Sequence, residues 1–351
     1  MTAFASILRN YNMKCVFADE QLKHAPKNFL VNGVITPTPE KPERVSYLMD
    51  ALKKADHSVE RPLDYGLDHI ASIHTDRYLT FLENAYERWA RIPGAAKEIM
   101  PNIHPLDRSN GYPKSVVAQA GFHTTDTSAP ITPDTWESSL WAAWSAIHAS
   151  EMILSGERHA YALCRPPGHH ATADTAGGFC YLNNTAIATQ NLLKKYPKIA
   201  ILDVDLHHGN GTQSIFYDLR DVLTISIHAD TSRFYPFFWG YENEYGEGTG
   251  QGYNINYPLP RGSGDDPFME KLTHALDEID DFDADMLVIA LGLDAFEGDP
   301  FAGLSITTNG YNLMAKMIAE RTNTPILMVQ EGGYICDELG ENLISFLGGI
   351  E

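Results

Sequence analysis

One short segment carries the residue types that divalent metals prefer. Asp203, Asp205 and His207 are spaced by two, so a β-strand running through them would project all three side chains from one face. Two carboxylates and one imidazole, completed by Asp294 from a neighbouring strand end, would hold a divalent metal and leave a position for water and substrate. An open position is typical of a catalytic metal. The alternative interpretation is a polar strand end with capping aspartates.

Such a ligand set accepts zinc, ferrous iron or cobalt, and zinc is the default prediction. A metal here would polarise an amide carbonyl and lower the pKa of water, as hydrolysis of an unactivated amide requires. His169 and His170 follow two prolines, and a histidine at this position could move the proton. Tyr334 follows two glycines, whose backbone freedom could aim the phenol at an oxyanion. Taken alone, adjacent histidines are more typical of a solvent-exposed loop, and tyrosine of a half-buried position.

These side chains can act together only if the fold brings them to one place. Apolar runs typical of strands alternate with segments of helical character, which predicts a parallel α/β sheet. In such sheets ligands bind at the carboxyl ends of the strands. Because a polar motif follows each of four runs, we expect the motifs to converge on one rim of the sheet. The predicted strands are residues 14–17, 161–164, 199–202, 222–227, 286–291 and 326–329.

Two segments lie outside this alternation. Residues 92–134 contain several prolines, show weak periodicity and are too long for an ordinary connection. A loop of this length is usually either disordered or functional. Residues 1–13 precede the first predicted strand, and we interpret them as an N-terminal tail. Residues 14–351 are predicted to form one domain.

The composition limits the class of partner. The 351 residues include 46 acidic and 26 basic ones, which gives a formal charge of −20. This charge argues against a protein that binds nucleic acid by neutralising phosphates. It would attract a cationic substrate, although solubility explains it equally well. The four cysteines are scattered, which predicts reduced thiols. No apolar run reaches the roughly 18 residues that span a bilayer, so we predict a cytoplasmic protein and no membrane partner.

The motifs together resemble the histone-deacetylase-like branch of the arginase–deacetylase superfamily. The fold implied is a single α/β domain around an eight-stranded, mostly parallel sheet flanked by helices. The matching segments occur in the family's order and are RPPGHH (165–170), GFCYLNN (178–184), DVDLHHGN (203–210), LD (293–294) and GGY (332–334).

The resemblance assigns roles to residues of these segments. Asp205, His207 and Asp294 would bind one zinc ion per subunit. His170 would be the general base and acid, and His169 its electrostatic companion. The other implied roles are hydrogen bonding to the two histidines (Asp203, Asn210), carbonyl polarisation (Tyr334) and lining of the acyl-chain tunnel (Gly178, Phe179, Tyr235).

The family resemblance also implies structural potassium ions, held mostly by backbone carbonyls. One site would use Asp203, Asp205, His207, Ser226 and Ile227. The other would lie near Phe216, Val222 and Tyr253.

Within the family, residues 165–171, 201–213 and 331–334 look most like the bacterial acetylpolyamine amidohydrolases. So does the long segment 92–134, which in those relatives helps to form a homodimer and narrows the pocket. Acidic residues of that segment attract the distal ammonium of the substrate. Val117 and Ser128 occupy those places here, so Asp126, the nearest acid, is the candidate.

Three hypotheses for the function follow. The favoured one is a zinc amidohydrolase that deacetylates small cationic polyamines or diamines. The second is the same chemistry on acyl-lysine in peptides. The third is a non-catalytic metal-binding scaffold, against which the presence of His170 and Tyr334 counts. Guanidine hydrolysis by a binuclear manganese site is not expected, because Gly209 and Phe296 stand where that branch needs aspartates.

Overall fold

The computed structural model describes residues 13–350, and two β-sheets account for its strands. The strands of these residues are β1 (Lys14–Val16), β2 (Asn28–Val31), β3 (Val34–Pro37), β4 (Ser58–Glu60), β5 (His159–Ala162), β6 (Ile199–Asp203), β7 (Val222–Ala229), β8 (Asn254–Leu259), β9 (Met286–Leu291) and β10 (Ile326–Gln330). Eight of them form the central sheet in the order β4-β1-β5-β10-β9-β6-β7-β8. Strands β2 and β3 form a separate antiparallel hairpin.

Every pair of neighbours in the central sheet is parallel. The prediction of an eight-stranded α/β sheet is therefore confirmed, and the expected antiparallel component is absent from the described part. Parallel neighbours need crossover connections, which helices supply here. The helices are α1 (Glu43–Lys54), α2 (Asp68–Ala71), α3 (Asp76–Trp89), α4 (Val116–Phe122), α5 (Thr135–Leu154), α6 (Asn184–Leu192), α7 (Asn210–Phe216), α8 (Asp265–Phe282), α9 (Thr308–Arg321) and α10 (Leu339–Ile350).

The sheet is buried on both faces, as its apolar strands require. Successive residues of β6 alternate between two hydrophobic clusters, with Ile199 and Ile201 in one and Ala200 and Leu202 in the other. Helices α1, α8, α9 and α10 contribute to the cluster that contains Leu202. Helices α5, α6 and α7 contribute to the opposite cluster. The result is a three-layer arrangement of helices, sheet and helices.

Residues 92–134 are more ordered than the predicted loop. They contain α4, and Ile99 pairs with Ile131 in an antiparallel bridge that closes the segment on itself. Ile99, Val116, Ala120 and Ile131 are buried in a third hydrophobic cluster together with residues of α3 and α5. Of the two alternatives for a segment of this length, the structure agrees with the ordered one, because these apolar residues give the segment a core of its own.

Two features bear on the ends of the chain and on membranes. Of the predicted tail, residues 1–12 lie outside the described residues, while Met13 is buried and donates its N–H to Nδ1 of His57 at 3.2 Å. Among residues 13–350, no helix is both long enough and apolar enough to span a bilayer.

Candidate metal centre and active site

Four neighbouring strands deliver the polar motifs to one rim. Strands β5, β10, β9 and β6 are adjacent in the sheet, and each is followed at its carboxyl end by one of the motifs. The convergence expected from the sequence is therefore present. One detail of that expectation was wrong: β6 ends at Asp203, so Asp205 and His207 lie in the following loop rather than on an extended strand.

Asp205, His207 and Asp294 form a buried cluster with metal-ligating potential. One ligand atom from each lies within 4.8 Å of the others. Nδ1 of His207 is 3.3 Å from Oδ1 of Asp205 and 3.1 Å from Oδ2 of Asp294. Two carboxylates and an imidazole in this arrangement fit a zinc ion with a further coordination position left for a reactant.

Backbone groups fix both carboxylates of the cluster. Oδ2 of Asp205 accepts the N–H of Gly332 at 2.7 Å, and Oδ1 of Asp294 accepts the N–H of Leu206 at 3.0 Å. Two glycines make this approach possible. A Cβ atom at Gly292 would lie 2.2 Å from Oδ2 of Asp205, and one at Gly332 would lie 2.3 Å from Oδ2 of Asp294. The absence of a side chain at these positions leaves the space that the ligands occupy.

The charge of the cluster favours a cation at its centre. Burial alone would lower the pKa of His207, but hydrogen bonds and charge interactions with Asp205 and Asp294 outweigh it and raise that pKa to about 9. A proton on His207 thus has the stabilising effect that a metal ion would have in the same field.

His169 and His170 lie beside the cluster with opposite protonation preferences. Nδ1 of His169 is 2.9 Å from Oδ2 of Asp203, and Nδ1 of His170 donates to Oδ1 of Asn210 at 2.7 Å. Burial opposes protonation of both rings. For His169 the carboxylates of Asp205 and Asp203 overcome burial and raise its pKa to about 10. Burial holds the pKa of His170 well below its usual value, and the charges of His169 and His207 lower it further.

Tyr334 lies across the same site and is held by groups distant in the sequence. Its backbone N–H donates to Oδ2 of Asp299 at 2.9 Å. The Arg44 guanidinium lies 4.9 Å from the ring centroid and donates to the carbonyl oxygens of Glu331 and Gly333. Burial raises the pKa of the Tyr334 hydroxyl well above its usual value, which keeps it a proton donor in hydrogen bonds.

The residues predicted to line the acyl-chain tunnel lie beside the histidines and Tyr334, together with two aromatic residues that were not predicted there, Phe29 and Phe301. Gly178 has φ of +50°, and a Cβ there would lie 2.4 Å from Cδ2 of His170. Phe179 contacts Phe29 and Phe301 with ring centroids 5.6 and 6.4 Å away. Phe301 is also 4.8 Å from the Tyr334 ring. Phe29 comes from β2, whose Asn-Gly turn between apolar residues is a hairpin signal that was available in the sequence.

Two other wall residues, Tyr235 and Asp126, are hydrogen-bonded to each other. The Tyr235 hydroxyl donates to Oδ2 of Asp126 at 2.5 Å, and the N–H of Gly178 donates to the same oxygen at 3.2 Å. The Tyr235 ring is perpendicular to that of His170 at 5.0 Å. Asp126 therefore lies beside the histidine pair.

The residues expected near potassium ions occupy two separate places. Asp203 is paired with Ser226 across β6 and β7, with Ile227 next in β7, and a small cavity of about 10 Å³ lies beside Asp203 and Ser226. Val222 begins β7 at the opposite end of the strand, and Tyr253 precedes β8 there. Phe216 is the last residue of α7.

Glu331 was noted in the sequence only as part of a motif, yet it organises the histidine loop. Its Oε2 accepts the N–H groups of Gly168 and His169 at 2.6 and 3.0 Å, and its Oε1 accepts the Thr185 hydroxyl at 2.7 Å. Glu331 forms a second close group with His169 and Cys180. Because its oxygens already accept three hydrogen bonds, this group is better explained as a support for the loop than as a metal site.

Comparison with known proteins gives one consistent result. Residues 38–350 match the family model described as "Histone deacetylase domain". The sequence is 42% identical to an acetylpolyamine amidohydrolase of Burkholderia pseudomallei over 96% of this chain and 98% of that protein. It is 39% identical to an acetylpolyamine amidohydrolase of Mycoplana ramosa over 96% and 99% of the two chains. A crystal structure of acetylpolyamine aminohydrolase from B. pseudomallei superposes with a TM-score of 0.93 at 42% identity, covering 97% of this chain and 98% of that one.

Proposed function

The chain belongs to the histone deacetylase domain family, and from this membership we propose that it removes acetyl groups from acetylated polyamines or diamines. Its near-full-length relatives are called acetylpolyamine amidohydrolases. The observation that carries the proposal is the grouping of Asp205, His207 and Asp294 beside a neutral His170 and the Tyr334 phenol, since metal-assisted amide hydrolysis uses a metal site, a base and an oxyanion donor.

Asp205, His207 and Asp294 would hold one zinc ion, whose fit is supported by the number, type and burial of these donors. Zinc, when bound, supplies Lewis acidity toward the amide carbonyl and toward water. Asp203 and Ser226 would contribute to one structural potassium site, and Phe216, Val222 and Tyr253 would surround the other.

His170 would carry the proton. Its Nδ1 donates to Asn210, which leaves Nε2 as the basic atom, able to take a proton from water and deliver it to the departing amine. His169, charged and bound to Asp203, would provide an electrostatic companion. The Tyr334 hydroxyl would donate a hydrogen bond to the carbonyl oxygen as negative charge develops there.

We also propose a cytoplasmic homodimer. The four cysteines form no disulfide among the described residues, in keeping with a reducing compartment.

Residues 92–134 expose two large apolar side chains, Ile103 at 60% and Leu106 at 107% of the reference area, which a partner subunit would cover. Sedimentation at micromolar concentration should give the mass of a dimer. A strictly monomeric mass would contradict this proposal.

The experiment that tests the function is a side-by-side assay of the zinc-loaded protein. The substrates are N-acetylputrescine, N-acetylcadaverine, longer acetylpolyamines and an acetyl-lysine peptide, each with and without a chelator. We expect chelator-sensitive turnover that is fastest on the small amines. Asp294→Asn, which weakens one metal ligand, is the matched inactive control.

Other outcomes lead to the competing hypotheses. Preference for the peptide would make this an acyl-lysine deacetylase. No turnover on any substrate by zinc-loaded protein would favour the non-catalytic scaffold. Turnover that survives both the chelator and Asp294→Asn would refute the metal site itself.

A further inference from the structure

We propose that the Tyr235 hydroxyl and the Asp126 carboxylate form a clamp that joins residues 92–134 to the loop after β7 and thereby determines which acylated amines enter the pocket. The clamp is a positioning device: its two residues would act by holding the pocket wall in place. This inference rests on the proposed function for its substrates, but its structural part can be tested without turnover.

The clamp joins segments that are far apart in the chain. Tyr235 lies six residues beyond the end of β7, and Asp126 lies 109 residues earlier, beyond α4. Their hydrogen bond at 2.5 Å is a phenol–carboxylate contact, one of the stronger kinds of hydrogen bond in proteins. Both side chains are half-buried, so the bond is only partly accessible to water that could replace a lost partner.

Asp126 is held so that it can act as the fixed half of the clamp. Its Oδ1 accepts the N–H of Ser128 at 2.7 Å, which forms a local turn. The preceding residue, Thr125, donates its N–H to the carbonyl of Ala176 at 2.8 Å. Oδ2 accepts both the Tyr235 hydroxyl and the N–H of Gly178. The turn at residues 126–128, the loop that contains Tyr235 and the segment that contains Gly178 therefore meet at the Asp126 carboxylate.

The meeting point is part of the pocket wall. A Cβ atom at Gly178 would lie 2.8 Å from the Tyr235 hydroxyl and 2.4 Å from Cδ2 of His170, so the three residues are in close contact. The Tyr235 ring also lies edge-on to His207 at 6.0 Å. A displacement of this loop would change the width of the pocket next to the histidines.

The Tyr235 hydroxyl makes a contact that the ring alone could not make. A phenylalanine at position 235 would present the same flat wall to a substrate chain. What tyrosine adds is the bond to Asp126, without which Oδ2 would keep only two longer contacts, from the Gly178 N–H at 3.2 Å and the Thr125 hydroxyl at 3.4 Å. Residues 123–128 would then be held less firmly, and the pocket would discriminate less against bulky acylated peptides.

The substrate test is a double-mutant cycle of Tyr235→Phe, Asp126→Asn and the double variant in zinc-loaded protein. We expect each single change to lower kcat/KM for N-acetylputrescine about tenfold, mainly through KM, because Tyr235→Phe removes the donor and Asp126→Asn removes the negative charge of the acceptor of the same hydrogen bond. The double variant should also lose about tenfold rather than a hundredfold. The ratio of kcat/KM for N-acetylputrescine to kcat/KM for an acetyl-lysine peptide should fall about tenfold in all three variants.

Phe238→Ala is the matched control, because Phe238 lies in the same loop and is 77% exposed. We expect its kinetic constants to stay within twofold of the unchanged protein. The clamp would be overturned if the two single losses in kcat/KM multiplied in the double variant. It would also be overturned if the substrate preference of Tyr235→Phe stayed within twofold of that of the unchanged protein.

A second measurement does not depend on catalysis. Amide hydrogen exchange of the zinc-loaded protein should be at least fivefold faster across residues 123–128 in Tyr235→Phe than in the unchanged protein, with exchange in β6 and β9 unaffected. Equal exchange across residues 123–128 would refute the clamp. If the unchanged protein deacetylates none of the amines but this exchange difference is found, the proposed function fails while the clamp stands.

Discussion

His170 is placed to remain neutral when most groups around it are charged or polar. It is buried, its neighbours His169 and His207 prefer to carry protons, and its Nδ1 is bound to the Asn210 amide oxygen. A carboxylate partner in place of Asn210 would stabilise the imidazolium form, as Asp203 does for His169. Burial and the surrounding charges therefore separate the chemistry of two adjacent histidines, and the amide or carboxylate partner of each ring acts in the same direction.

We expect His170→Ala to lower kcat by about 10²- to 10⁴-fold, the usual contribution of a general base. Zinc content measured by mass spectrometry should not change, because His170 is outside the ligand cluster. His274→Ala, at an exposed position of α8, is the control and should be fully active. Near-normal turnover by His170→Ala would remove this residue from the proton-transfer role.

Asp299 positions two residues of the site through their backbone N–H groups. Its two carboxylate oxygens accept the N–H groups of Phe301 and Tyr334, both at 2.9 Å, and so fix a wall residue and the proposed oxyanion donor together. Asn has only one acceptor oxygen, so Asp299→Asn must leave one N–H without its partner. We expect kcat to fall about tenfold or more with unchanged zinc content.

The control is Asp230→Asn, since Asp230 makes a similar bond to Ser232 N–H in an exposed loop. Both variants should be measured for turnover and zinc. If Asp299→Asn were as active as Asp230→Asn, the position of Tyr334 would not depend on this carboxylate.

Among the elements of secondary structure, the positions that follow the central strands leave the least space for a side chain. Gly292 immediately follows β9, and its Cα faces Asp205 from the loop after β6. We expect Gly292→Ala to lower zinc affinity at least tenfold, because the new methyl group would lie 2.2 Å from Oδ2 of Asp205 and displace that ligand. Competition with a chromophoric chelator would measure the affinity.

Gly348→Ala is the matched control for that change. Gly348 lies in α10, and no atom lies within 4 Å of the place that the new methyl group would take. Its backbone angles are ordinary for any residue. Alanine there should leave zinc affinity unchanged and favour the helix slightly. Equal zinc affinity in the two variants would show that the close approach at Gly292 is not required.

The central strands could be predicted from the sequence, whereas the edges of the sheet could not. Five runs from residue 161 onward correspond to β5, β6, β7, β9 and β10, which are almost entirely buried and therefore mostly apolar. The edge strands β4 and β8 were missed. β8 reads NINYPL, with asparagines and a proline that an edge position tolerates and a central one does not.

The candidate site, too, could be predicted only in part. Ligands and histidines stand out because their residue types and spacing suggest chemistry. Arg44 and Asp299 do not, since each acts through backbone groups of a loop that only the fold brings near, 289 residues away for Arg44 and Gly333. Their types alone suggest surface charges. Such supporting residues could not be found from one sequence.

For the molecule as a whole, buried and half-buried histidines contribute to the way in which stability depends on pH. Burial lowers the pKa of His24 to about 3 and those of His74, His123, His159 and His228 to about 4. In the unfolded chain these residues take up protons near pH 6.5. Between the two values the unfolded state binds more protons at these histidines, which lowers stability as pH falls from 6.5 toward 4. Burial raises the pKa values of Asp299 and Glu331 to about 7, which acts in the opposite direction, but the histidines are more numerous.

We expect the free energy of unfolding to decrease by up to about 1.4 kcal/mol per pH unit for each such histidine in that range. Urea unfolding of chelator-treated protein at pH 7.5, 6.5, 5.5 and 4.5 would measure it without a contribution from metal loss. His169 and His207 have raised pKa values, so their contribution is fully present below about pH 6.5 and is lost progressively as the pH rises toward 9 to 10. A midpoint that stays constant from pH 6.5 to 4.5 would contradict the prediction.

The position of β10 has a consequence for how the molecule is made. The last strand of the chain lies in the middle of the sheet, between β5 and β9. Until the ribosome has released it, the chain can form only two half-sheets, each with an open edge facing the other. Asp205 and Asp294 belong to one half and the histidine pair to the other. The proposed active site can therefore be assembled only when β10 joins the two halves, and we expect an N-terminal fragment that ends before residue 326 to be inactive.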